Sequence, residues 1–252
     1  MKKIFLSAFI LGSLTFTSCD KNDDDNQQEE VGILPTKIML NEDDSNTTTD
    51  YTYDNENRLI KFVEEYNEDG DYSSMWTVNL EYNGSELVKV TDNNKYISNG
   101  NENTNSTIFT FEKNGNTITV NKESSWNGQT NNDTEIIKIN DKGQLLADEY
   151  YTYTYDTKGN MIKYVGDEET ATFVYDNKNG AFKNSKTPQW VFEYFLYQGT
   201  FHVNNPVKMT YSDEEFPEDN EEVNIEYQYN SGNFPIQAET DYGATLIFQY
   251  NN

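Results

Sequence analysis

Apolar and polar residues alternate along most of the chain with a period of two. Tyr51 and Tyr53, then Trp76, Val78, Leu80 and Tyr82, hold one face apolar while Thr, Asn and Glu fill the other. The alternation returns at Tyr151, Tyr153 and Tyr155, at Val207, Met209 and Tyr211, at Val223, Ile225, Tyr227 and Tyr229, and at Leu246, Phe248 and Tyr250. Successive strand side chains point to opposite faces, so each run predicts a β-strand with one apolar and one wetted side. Strands of this kind belong in antiparallel sheets. Outside the first 18 residues no comparable stretch has helical spacing, and the expected fold is all-β.

A hairpin unit repeats through these strands. An aromatic pair runs into Asp or Asn, a short polar turn follows, and an aliphatic residue begins the return strand. Examples are Tyr51-Thr-Tyr-Asp-Asn-Glu-Asn-Arg-Leu59, Ile137-Lys-Ile-Asn-Asp-Lys-Gly-Gln-Leu145, Tyr153-Thr-Tyr-Asp-Thr-Lys-Gly-Asn-Met161 and Tyr227-Gln-Tyr-Asn-Ser-Gly-Asn-Phe-Pro235. The Asp or Asn side chain accepts from the backbone just ahead of it, and Gly or Asn takes the positive φ that tight turns require. Spacing between copies is uneven, so the pattern is a meander of hairpins rather than a strict solenoid.

These units resemble YD repeats, the Tyr-x-Tyr-Asp-x-x-Gly-x-Leu signature of RHS-type surface and toxin-shell proteins. The chain resembles more closely a family of Bacteroidota lipoproteins of unknown function with a porin-like fold. That likeness is carried by Asn204-Asn-Pro-Val-Lys-Met-Thr-Tyr211, then Val223 to Pro235, then Thr245-Leu-Ile-Phe-Gln-Tyr250, in that order, and it covers residues 33–252. It implies a long antiparallel sheet curled into an open or closed barrel. It brings no catalytic residue with it. Positions opposite the aromatic face are Thr, Glu, Lys, Asn and Gln, whereas a membrane-spanning barrel needs a continuous apolar band there. The aromatic residues are therefore expected to point inward.

The first residues give an address. Met1-Lys2-Lys3, an apolar run from Ile4 to Phe16, and Thr17-Ser18 before Cys19 read as a bacterial secretory signal of lipoprotein type. The apolar run is shorter than the roughly 20 residues of a spanning helix. Cys19, the sole cysteine, stands where lipid attachment is expected. Phe16 departs from the aliphatic residue usual three places before it, and an ordinary secreted protein is the alternative. The expected division is a signal at 1–18, an acidic flexible tether at 19–32 and one all-β domain at 33–252. Asp20-Lys-Asn-Asp-Asp-Asp25 resembles the surface-export signal of Bacteroidota lipoproteins, with Asn22 interposed between the lysine and the acids. The expected location is the outer membrane, lipid-anchored, at the cell surface. The resemblance implies several acyl chains on Cys19; a single chain anchors only reversibly.

Composition narrows the partners. The net charge is −26, and removal of residues 1–18 takes away Lys2 and Lys3 and no acid, giving −28. Nucleic-acid binding rests on cationic side chains neutralising phosphate, so it is excluded; Arg58 is the only arginine.

Candidate chemistry is sparse. His202 is the only histidine, so neither a typical zinc site nor a histidine-assisted nucleophile has a second partner, and it reads as a structural loop or strand residue. No cofactor is expected. Asn67-Glu-Asp-Gly-Asp71 places the oxygen ligands Asn67, Asp69 and Asp71 around a glycine, as weak calcium loops do, but Val78 stands where an EF-hand needs an acid. A solvated hairpin tip is the simpler reading there and at Asp213–Asp219. Trp76 and Trp190 alternate with apolar neighbours and are expected in the core. Trp126, in Ser-Ser-Trp-Asn-Gly128, has little apolar company and is the candidate ligand platform or a cap on the barrel. The preferred function is non-catalytic binding or scaffolding for a glycan or surface protein. A polysaccharide hydrolase, with two facing carboxylates in a cleft, is one alternative. A structural shell module of the YD kind, filled with side chains and lacking a cleft, is the other.

Overall fold

The computed structural model describes residues 32–251, apart from 69–71, 99, 127, 168, 197–200, 214, 215, 217 and 219. Cys19 and most of the acidic tether lie outside the described residues. The first strands are β1 (Pro35–Asn41), β2 (Ser45–Tyr53), β3 (Leu59–Glu68), β4 (Tyr72–Asn83), β5 (Glu86–Ser98), β6 (Asn101–Asn114), β7 (Thr117–Trp126) and β8 (Gln129–Ile139). Shorter ones follow: β9 (Leu145–Ala147), β10 (Thr152–Tyr155), β11 (Met161–Val165) and β12 (Glu169–Tyr175). The helix α1 (Gln189–Phe195) precedes β13 (Pro206–Asp213), β14 (Glu221–Tyr229), β15 (Pro235–Thr240) and β16 (Thr245–Tyr250).

Each strand pairs antiparallel with the next, and β1 pairs with β16, so the sheet closes into a sixteen-stranded barrel. Closure aligns Ile38 with Phe248 and Leu40 with Leu246. The pairing sets expected apolar positions side by side on the inner face: Tyr51 opposes Phe62, Phe62 opposes Val78, and Leu80 opposes Val90. On the outer face cross-strand ion pairs stand instead, Lys37 with Asp50 at 2.9 Å, Lys89 with Glu81 at 2.8 Å and Lys208 with Glu222 at 2.7 Å. Such a wall is wetted; it does not present the continuous apolar band of a lipid-facing strand surface.

The repeated turn has one geometry. Asp54 Oδ1 accepts from the amides of Glu56 and Arg58, both at 2.9 Å. Asp156 Oδ1 accepts from Lys158, Gly159 and Asn160 at 2.8–2.9 Å, and Asn230 Oδ1 from Gly232 and Phe234 at 2.9 and 3.0 Å. The chain then turns through positive φ, +63° at Asn57 and +102° at Gly159. A register shift follows at the first pair of each of these hairpins, between Thr52 and Tyr53, Thr154 and Tyr155, and Gln228 and Tyr229. Irregularities of this kind bend a strand and raise its twist, which curls the sheet toward closure.

The tyrosine before the turn has a specific task. Tyr82 Oη donates to the carbonyl of Leu59 at 3.0 Å, Tyr155 to Leu145 at 2.7 Å, Tyr175 to Met161 at 2.6 Å and Tyr250 to Pro235 at 2.7 Å. In each case the acceptor is the first residue of the preceding hairpin's return strand. β4, β10, β12 and β16 are therefore each latched to the strand before them by a hydroxyl inside the wall.

The lumen is filled. The connection between β12 and β13 turns inward and carries α1 into the barrel. Phe182, Val191 and Phe192 are fully buried, and Ala181, Trp190, Phe195 and Leu196 join the same core as the inward residues of the strands. Rings of the connection meet rings on distant walls: Phe182 lies 5.3 Å from Tyr51, Trp190 5.4 Å from Phe111, Phe195 5.1 Å from Phe109, and Phe201 6.2 Å from Phe248. A fully buried Phe contributes about 1.5–3 kcal/mol, so this plug is core rather than a loose lid. Polar bonds fix its rim: Leu59 N donates to Thr187 Oγ1 at 2.7 Å, Lys186 N to Asn57 O at 2.9 Å, and Trp190 N to Gly143 O at 2.9 Å.

α1 corrects the expectation of no helix beyond the first residues. Gln-Trp-Val-Phe-Glu-Tyr-Phe is rich in β-formers and too short to show a helical stripe. It is helical because, surrounded by wall, it must satisfy its own backbone. Trp190 is core as expected, 4% exposed.

Two buried titratable groups sit in the plug. Glu193 accepts from Leu145 N at 2.9 Å and Gln189 Nε2 at 2.8 Å. Burial nevertheless dominates and pushes its carboxyl up to about 8, against the opposing bonds. His202 packs 5.3 Å from Phe192, neither ring nitrogen has a partner among the described residues, and burial holds it down to about 4.

Two outcomes follow. Tyr155→Phe should cost about 0.5–1.5 kcal/mol in denaturant unfolding through loss of the latch, with the spectrum of the folded state unchanged; a neutral effect removes the latch from the account. For pH, the folded Glu193 keeps a proton that the unfolded chain releases above about 4.5. Its contribution is full below that pH and lost as pH rises through about 8. His202 acts oppositely, its contribution being present above 6.5 and lost on acidification toward about 4. Between pH 6.5 and 8 Glu193 acts alone, so stability should fall by up to about 1.4 kcal/mol per pH unit. Glu193→Gln should flatten that slope in urea midpoints measured across the window; an unchanged slope assigns it elsewhere.

Candidate functional site

Antiparallel closure sends the connections after even-numbered strands to one end of the barrel and those after odd-numbered strands to the other. The plug and the repeated Asx turns occupy the first end. The second end is open, and its wall is uneven: β4, β5 and β6 run 12, 13 and 14 residues, whereas β9, β10 and β11 run 3, 4 and 5. The tall strands carry their inward face past the plug and form one side of a concave surface.

On that face the apolar pattern gives way to polar residues. Trp76 pairs with Asn94, Asn94 with Asn105, and Asn105 with Trp126, so one row across β4–β7 reads Trp, Asn, Asn, Trp. The next row inward holds Asp92, Thr107 and Ser124. Together with Tyr96 these residues line a groove of about 470 Å³. A second groove of about 450 Å³ runs over the outer face of the same strands past Met75, Thr77, Asn93 and Lys95. Trp126 stands at the rim and lines both.

The inner groove is built from below. Phe62 meets Trp76 edge-on at 4.9 Å, and Trp76 Nε1 donates to Asp92 Oδ1 at 2.6 Å, which fixes the indole plane. Burial raises the Asp92 carboxyl, and the indole bond works against it. The hydroxyls of Thr107 and Ser124 lie 3.0 Å apart. Asn94 Oδ1 is buried and has no partner among the described residues, an acceptor left open at the groove. Trp126 is 55% exposed. Deeper in the lumen, Glu135 is buried and accepts from both Lys122 Nζ and Tyr194 Oη, tying β7, β8 and α1 together.

The residues singled out from sequence fall in different places. Trp126 is a strand-end residue whose ring is open to solvent. Asn67 lies exposed near the end of β3, and Asp69 and Asp71 are outside the described residues. Among the described residues no group of three His, Cys, Asp or Glu side chains is placed to hold a metal. Sequence reasoning put Trp76 in the core, and its ring does pack there, but it also lines the groove. The Asp92, Asn94 and Asn105 positions were passed over, because an Asn on a strand's inner face carries no local mark. The one signal available was the change from aliphatic Val90 to polar Asp92 and Asn94 at period two along β5.

No family model matches the chain, and no curated protein matches it. Among solved structures it is similar to a porin-like protein from Bacteroides vulgatus ATCC 8482, with TM-score 0.44 and 12% identity over 87% of this chain and 99% of that one. It is similar also to a porin-like protein from Bacteroides uniformis ATCC 8492, with TM-score 0.43 and 13% identity over 86% and 98%.

Proposed function

We propose that this chain is a lipid-anchored protein of the outer membrane, displayed at the cell surface, that binds an extended carbohydrate without chemical turnover. The open groove carries the proposal. Trp126 offers an exposed ring on which the apolar face of a sugar can stack, and Trp76 closes the other side. Asn94, Asn105, Thr107 and Ser124 supply short, neutral donors and acceptors between them, the lining expected for hydroxyl recognition. Asp92 is the single carboxylate among the residues lining the groove, and it is held by Trp76. A glycoside hydrolase uses two carboxylates flanking the bond, so the lining favours a binder. The signal and Cys19 support the anchored location.

The test is binding of the mature chain to a panel of soluble neutral polysaccharides by affinity electrophoresis and calorimetry. At least one should be retained without release of reducing ends. Trp126→Ala should weaken that binding at least about tenfold, the equivalent of roughly 1.4 kcal/mol. Its melting temperature should move by no more than about 1–2 °C, as for an exposed position. Retention of none sinks the carbohydrate reading and leaves a structural shell module as the better account of a plugged barrel. A large loss of stability identifies Trp126 as a packing residue.

A further inference from the structure

The wall that faces the groove is lined with tyrosines. In the ring of strands β13 stands eight places from β5, half-way around. Ala171 and Phe173 are buried and pair with Tyr211 and Met209, so both β13 residues point inward. Tyr211 therefore faces the β5 positions Asp92 and Asn94 across the lumen. The two sides also match in level. Val90 and Met209 belong to the core packing, and Asp92 and Tyr211 are each the next inward residue toward the open end.

One row across β10–β13 reads Tyr153, Tyr164, Ala171, Tyr211. Ala171 is fully buried while Tyr164 and Tyr211 keep part of their surface open, so the two tyrosines cover the alanine between them. Tyr164 is braced: its ring lies 6.0 Å from buried Phe173, Tyr151 meets it edge-on at 5.1 Å, and its Oη donates to Glu169. Tyr211 Oη has Met209 Sδ as its one partner among the described residues, at 3.6 Å, a weak acceptor that leaves the hydroxyl open to a ligand. Burial first, and Glu169 second, raise both hydroxyls above the ordinary tyrosine value, so both keep their protons as donors. Tyr242, in the connection between β15 and β16, is 59% exposed and close enough to Tyr211 to act on its hydroxyl. A ledge of tyrosine thus climbs from Phe173 in the core through Tyr164 and Tyr211 to Tyr242 at the rim.

We propose that this ledge is a second contact for the carbohydrate held in the groove, and that the ligand is a glycan segment long enough to cross the mouth from one wall to the other. The proposal rests on the carbohydrate reading of the groove. A tyrosine ring offers a sugar an apolar face to stack on and a hydroxyl to bond, and it loses little conformational freedom in doing so. A ring of sixteen tilted strands is about 30 Å across between backbones, and about 15–20 Å between facing side chains, the reach of about four pyranose units. A trisaccharide therefore rests on one wall, and a hexasaccharide reaches both. Contact with the second wall is intramolecular once the first is made, so it adds affinity without a second association step. The site selects polymers over short sugars by their length.

The experiment is calorimetric titration of the mature chain with the trisaccharide and the hexasaccharide of four series: cello-, laminari-, malto- and xylo-oligosaccharides. In at least one series the hexasaccharide should bind at least about tenfold more tightly than the trisaccharide. Tyr242→Ala, at an exposed position, should remove most of that advantage while leaving trisaccharide affinity and melting temperature unchanged. Tyr211→Phe, which keeps the ring and deletes the hydroxyl, should reduce the advantage in part. Trp126→Ala should weaken both lengths, since both use the groove. Equal affinity for the two lengths, or an advantage that survives Tyr242→Ala and Tyr211→Phe, overturns the ledge and leaves the groove reading in place, the added units then lying along the tall wall alone. Absence of binding by either length in all four series overturns the carbohydrate reading and the proposal with it.

Discussion

A closed sheet of sixteen strands has a lumen that its own side chains cannot fill, since packing by wall residues alone suffices only near eight strands. Everything else in this molecule answers that constraint. The connection between β12 and β13 supplies the missing volume, with Phe182, Trp190, Phe192 and Phe195 reaching opposite walls. Because the centre is apolar, the inner face of each strand must be apolar at plug height, and the outer face is free to be charged. A large pore with a wet interior and an apolar exterior is thereby inverted: dry within, wet without.

The filling is also one-sided, and function follows from that. The plug enters from the end that holds the Asx turns and leaves the other end open above it. Where β4–β7 rise past the plug, their inward positions no longer meet a ring, and the pattern changes to Asn, Asp, Thr and Ser. The groove is thus a direct outcome of unequal strand length. Trp76 marks the change, with its ring face on Phe62 and its N–H on Asp92.

Much of the wall was legible from the alternation of residues, because strand register and face are short-range properties. Tyr51, Phe248 and Val223 point inward as period two requires. The Asx turns were legible for the same reason. The hydroxyl latch was not, since Tyr155 and Leu145 lie in different hairpins and only the curled sheet brings them together. α1 was not legible either: seven residues buried on nearly every side carry no amphipathic stripe. Of the groove, Trp126 could be singled out by its polar neighbours, but Asn94 and Asp92 acquire meaning only from cross-strand pairing with Asn105 and Thr107.

The claim on which the rest depends is that the barrel is filled by its own chain and wetted outside. The direct measurement is folding of residues 20–252 in detergent-free buffer, followed by circular dichroism and tryptophan emission during urea unfolding. The account predicts β-sheet dichroism, a blue-shifted emission component from buried Trp190, and a single cooperative transition in which both signals are lost together. A chain that precipitates in buffer and acquires sheet structure only in micelles would contradict it.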